Sequence, residues 1–171
     1  DDLEIKILLN DIKDNLSPEK LAELASIAIE KMSDDLYIKN LLVGIKDKIS
    51  KEKLAELASS AIEKKPDDYK IKDLLIGIKD NLSPEKLEEL ASIAIEKMSD
   101  DPHIKWLLLG IKGYISQDKL EELASVAINK MSDDIEIRDL LEGIKDNISK
   151  EQLAELNTQR KLKNRSFCTI M

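Results

Sequence analysis

Few residues in this 171-residue chain have the type and spacing to do chemistry. The lone histidine and lone cysteine, His103 and Cys168, stand 65 positions apart, so no local Cys/His metal set or nucleophile pair is spelled out. The recurring serines each precede an acidic, amphipathic stretch, where a hydroxyl caps a helix and has no base beside it. The carboxylates alternate with lysines, as Glu19 and Glu23 do among Lys20 and Lys31, which is the pattern of a solvated helix face. The expectation is therefore a non-enzyme with no catalytic, cofactor-binding or metal residues.

Cys168 stands apart because of its place. The chain ends Cys168-Thr169-Ile170-Met171. A thiol fourth from the end, an Ile at the selective position and a terminal Met make the C-a-a-X pattern read by protein prenyltransferases, with Met favouring farnesyl. Thr169 is a mild departure at the first "a". Upstream lie Arg160, Lys161, Lys163 and Arg165, with no acid among residues 157–171. One lipid chain binds membranes marginally, and each basic residue near an anionic cytoplasmic leaflet adds about 1 kcal/mol. The tail is thus expected to meet a prenyltransferase at Cys168 and a membrane surface through the four basic residues. The location implied is cytoplasmic, at the cytosolic face of a membrane, either in a eukaryote or for a microbial effector modified by its host.

The body is of opposite sign. The chain has 27 Lys and Arg against 35 Asp and Glu, a net −8, and without the four tail bases residues 1–156 carry −12. Such a body repels nucleic acid, so none is expected as a partner. No run of about 18 apolar residues and no signal peptide is present, and a single cysteine fits a reducing compartment. The chain opens at Asp1 part-way through a repeat, as an excised piece or processed product would.

That repeat sets the fold. Leu16-Ser17-Pro18-Glu19-Lys20-Leu21 recurs from Ile49, Leu82, Ile115 and Ile148 at steps of 33 residues. Four full units (16–48, 49–81, 82–114, 115–147) lie between partial ones, so 1–156 is one array and 157–171 a basic capping helix end with the C-a-a-X tail. In each unit a Ser N-cap opens the first helix, with Pro18 or Pro84 at the first helical position and an acid in the first turn. Leu21, Leu24, Ala25, Ala28, Ile29 and Met32 form one apolar stripe. An Asp pair opens the second helix, whose stripe is Ile38, Leu41, Leu42 and Ile45. Two-residue connections force antiparallel neighbours, and neither stripe is buried in a single hairpin, so units must stack. The predicted class is all-α: a right-handed α-solenoid of antiparallel hairpins with a 33-residue repeat.

Gly44, Gly77, Gly110 and Gly143 fall inside the second helix, where each costs roughly 1 kcal/mol relative to Ala, so close approach of a neighbouring helix is expected there. At the far end, Asn157, Arg160, Lys161 and Asn164 stand where Ala124, Ala127, Ile128 and Met131 stood one unit earlier. Stacking should stop there.

Units differ mainly on one face of the second helix, at the registers of Leu36, Tyr37, Asn40 and Val43. That face holds Tyr37, Asn40 and Val43, then Lys70, Asp73 and Ile76, then His103, Trp106 and Leu109, with Tyr114 beyond. Trp and Tyr are favoured anchors at binding surfaces, so these ten residues are the candidate partner-binding set, centred on Trp106. Harmless drift on a solvent face explains the same variation.

A 33-residue helical hairpin resembles the tetratricopeptide unit, which is one residue longer. Trp106-x-x-Leu109-Gly110 is similar to that family's opening, and Ala61-Ile62 followed by Pro66 to its close. The Trp position is Asn40, Asp73 and Asp139 elsewhere, the Leu position is Glu142 in the last unit, and the family tyrosine is Asp47, Asp80, Gly113 and Asp146. The resemblance covers residues 1 to about 156 and implies, by architecture, a scaffold binding a protein or peptide. A rigid acidic spacer, or a designed array without a specific ligand, are the other readings.

Overall fold

The computed structural model describes residues 1–64 and 66–168, the side chains of 164–168 excepted. Among them it has ten α-helices and no strand. The Asp-opened helices are α1 (Asp2–Ile12), α3 (Asp35–Ile45), α5 (Asp68–Ile78), α7 (Asp101–Ile111) and α9 (Asp134–Ile144). The Ser-opened helices are α2 (Pro18–Lys31), α4 (Lys51–Glu63), α6 (Pro84–Lys97), α8 (Gln117–Lys130) and α10 (Lys150–Cys168). Each helix packs on its chain neighbour and on the next helix of its own kind, giving two layers with the core between them.

Local chemistry sets the boundaries. Ser17 Oγ accepts from Lys20 N–H at 3.2 Å, and Ser50, Ser83, Ser116 and Ser149 do the same three residues on. Met32, Met98 and Met131 close their helices by donating N–H to Ala28, Ala94 and Ala127, and their side chains are fully buried. The expected stripes form the core: Ile38, Leu41, Leu42 and Ile45 are at most 3% exposed, as are their counterparts in α5, α7 and α9. Leu24 is more open than Leu57, Leu90 and Leu123, α2 being the first Ser-opened helix among the described residues.

Three kinds of contact join successive units, the third at every junction but the one after α4. The first is the glycine seat: a Cβ on Gly77 would lie 3.0 Å from Val43 Cγ2, one on Gly110 2.6 Å from Ile76 Cδ1, and one on Gly143 closer still to Leu109. The second lies beside it, where Lys13, Lys46, Lys79 and Lys112 donate Nζ to the carbonyls of Gly44, Gly77, Gly110 and Gly143 at 2.5–2.9 Å. The third is an aspartate clasp: Asp2 Oδ2 accepts from Ser33 N–H, Ser33 Oγ and Asp34 N–H, and Asp68 and Asp101 hold Ser99–Asp100 and Ser132–Asp133 likewise.

Helix α10 runs on for 19 residues, past the length of its counterparts. Leu156 is buried, and the helix continues beyond it. Among the described residues no helix is long and apolar enough to cross a membrane.

Candidate functional site: an aromatic cluster and a basic helix end

The variable face divides into three groups. The first is an aromatic cluster at the start of α7. Asp100 caps this helix, accepting from His103 N–H at 3.4 Å, and its carboxylate also meets the imidazole Nδ1. One turn on, Trp106 stands edge-on to His103, with centroids 5.6 Å apart and ring planes at 83°, a favourable arrangement for ring quadrupoles. Tyr69 reaches His103 from α5 at 6.3 Å. Lys72 and Lys105 place ammonium groups 5.4 and 5.7 Å from the Trp106 centroid while pairing with Asp73 at 2.9 Å and Glu136 at 2.5 Å. Trp106 nonetheless remains 48% exposed.

The second group is occupied with packing. Val43, Ile76 and Leu109 are the residues seated on the glycines of the following helix, and Tyr37 is half-buried against the core. Their variation from unit to unit adjusts how the helices fit as well as what they show to solvent. Asn40 and Asp73 are half-buried, and Lys70 lies beside Tyr69 and 3.5 Å from Asp67.

Tyr114 forms a third group by itself. It follows α7 by three residues, roughly 12 Å along the axis from Trp106. Lys79 sits 4.3 Å from its ring centroid, and its hydroxyl donates to Asp80. That hydrogen bond, reinforced by the Asp80 charge, raises the phenol pKa. The structure therefore joins His103 and Trp106, adds Tyr69, and keeps Tyr114 apart. Tyr69 had a visible signal, since it shares the register of Leu36 and lies on the same varying face.

At the basic helix end, two of the four expected membrane-facing residues are engaged within the protein. Arg160 grips Asp134 with Nε at 2.6 Å and Nη2 at 2.7 Å, a bidentate pair that raises its pKa. Its position is Ala127 one unit earlier. Where an Asp-opened helix would otherwise cover this face, the long side chain lies over the start of α9. Lys163 donates to the carbonyls of Ile128 and Asn129 at 2.6 and 2.8 Å and to that of Met131, capping the end of α8; burial lowers its pKa. Lys161 is exposed. The side chains of Arg165 and Cys168, and residues Thr169–Met171, lie outside the described residues.

Among the described residues no group of three or more His, Cys, Asp or Glu could hold a metal ion. No family model and no curated protein matches the chain.

Proposed function

We propose that the chain is a non-enzymatic scaffold that binds a protein or peptide on the Asp-opened layer and is held at the cytosolic face of a membrane by a farnesyl group on Cys168. The array is read as a right-handed solenoid of 33-residue hairpins, related to the tetratricopeptide type by architecture. The observation that carries the binding reading is Trp106: a large aromatic ring, half exposed, flanked by the His103 ring, with Tyr69 beyond it, and by two ammonium groups. Aromatic anchors of this kind dominate interface energetics. Because Arg160 and Lys163 are engaged within the protein, Lys161 is the one of the four basic tail side chains left exposed among the described residues, and the lipid carries the larger share of the tether.

Two measurements test the two halves of the proposal. Trp106→Ala should weaken capture of the partner from the source cell by about tenfold or more while circular dichroism is unchanged. Unchanged capture removes the binding surface from this face. The mass of the C-terminal peptide from eukaryotic cells should show a farnesylated Cys168, absent in Cys168→Ser; an unmodified thiol removes the tether. The spacer reading draws on the clasps between units, which stiffen the array whatever it binds. It predicts that Trp106→Ala changes nothing.

A further inference from the structure

Beside Ile7, Leu8 and Trp106, the large exposed apolar side chains of the Asp-opened helices share one register. Leu3, Leu36, Tyr69 and Ile135 are 41%, 39%, 41% and 57% exposed, and Pro102 holds the same register in α7. Each is the second residue after the N-cap of its helix, so together they form a stripe running across the starts of all five helices. Trp106 lies one turn inward from it. The N-cap acids Asp34, Asp67, Asp100 and Asp133 border the stripe and are all exposed. Between Tyr69 and His103 the surface dips into an open groove of about 670 Å³, whose rim carries Asp67, Asp68, Asp100 and Glu96, with Lys97 among them.

We propose that this stripe seats an extended, basic peptide segment with an apolar side chain at every third residue. The inference rests on the binding reading above and names the partner's chemistry. Spacing is the first argument. Neighbouring packed helices lie about 8–10 Å apart, and a polyproline II chain returns to the same face every three residues, about 9.3 Å. A β-strand returns every 6.6 Å or so and an α-helix every 5.4 Å, so their apolar positions fall between the registers. Charge is the second. The acidic border attracts cations, and the groove beside Tyr69 has room for a lysine or arginine side chain among its carboxylates. Lys70, Lys97 and Lys105 do not oppose this, being turned to Asp67, Glu63 and Glu136.

Trp106 is the chain's single tryptophan, so its fluorescence reports on the site directly. The probe is a blocked fifteen-residue peptide, Leu-Lys-Pro repeated, titrated into the whole chain. Two comparators are Leu-Glu-Pro repeated and a helix-forming peptide of equal charge with Leu at three- and four-residue spacing. A saturable emission change is expected with the first peptide alone, at least about tenfold weaker in Tyr69→Ser and in Ile135→Asp and weakened by added salt. Both substitutions are at exposed positions, and circular dichroism checks that the array is intact. If the helical peptide binds equally or better through Trp106, the extended-peptide inference is overturned while the binding surface stands. If the acidic peptide binds equally, or the lysine peptide gives no change up to about 1 mM, the inference is likewise overturned. The Trp106→Ala capture experiment then decides the binding reading by itself.

Discussion

The connection between α6 and α7 and the one between α4 and α5 occupy the same register and are held differently. After α6, Met98 is fully buried, and Ser99 and Asp100 give two backbone N–H groups and a hydroxyl to Asp68. After α4 the sequence has Lys65 where the methionine belongs and Pro66 where the serine belongs. Proline has no N–H and no hydroxyl to offer Asp35, whose charge acts on Lys70 instead. Lys64 compensates by donating to the carbonyls of Ile29 and Met32, capping the end of α2 as Lys163 caps α8. The lesson is that near-identical units need not be equally coupled. In an array stabilised by nearest-neighbour interfaces, one altered loop makes a local weak point.

Four predictions bear on this difference, the largest effect first. Restoring the consensus with Lys65→Met and Pro66→Ser should raise stability by about 1–3 kcal/mol, since it supplies a core methionine and the clasp donors together. Urea unfolding reads this, and no gain would mean that the loop is already as well coupled as its neighbours. Removing the clasp acid should separate the junctions: Asp68→Ala should cost about 1–2 kcal/mol, and Asp35→Ala less than about 0.5. Equal losses in the same denaturant experiment would erase the contrast. Lys64→Ala should cost about 1 kcal/mol, more than Lys97→Ala, because Lys64 caps backbone carbonyls while Lys97 meets the exposed Glu63 at 3.0 Å. A larger loss at Lys97 would show that the compensation is not needed.

The smallest effect concerns acid. Backbone N–H groups of Asp34 and Ser33 lower the pKa of Asp2 below its ordinary 3.8. A depressed carboxylate contributes stability above its unfolded pKa and loses it as pH falls through the folded value, so the clasp at Asp2 should weaken below about pH 3.8. Thermal melts of the protein and of Asp2→Asn between pH 3 and 6 should converge at the acid end. Parallel curves would show that the carboxylate charge is not what holds Ser33.

Much of the helical framework was legible in the sequence because it rests on local chemistry. Ser17, Pro18 and the apolar period from Leu21 to Met32 place a helix start and a buried face without reference to any other unit. The glycines were legible too, since a residue that weakens a helix needs a packing reason to recur at one register, and Val43 and Ile76 supply it. The candidate site was legible in part. Variation marked His103 and Trp106 but could not separate them from Val43, Ile76 and Leu109, because packing against a neighbour and standing open on the surface leave the same trace in a sequence.

What the sequence determined by itself was the period, the caps and the apolar stripes, properties of segments shorter than one unit. The tertiary structure decided which charged residues join units. Lys46 and Lys79 read as solvated surface charge, yet each ends on a glycine carbonyl 31 residues ahead. Asp68 reads as a helix cap, yet it holds the following unit's loop, and Arg160 reads as a membrane contact, yet it closes on Asp134. Such contacts depend on how one hairpin superimposes on the next. A side chain's reach to a backbone carbonyl in another unit is fixed only once the units are stacked.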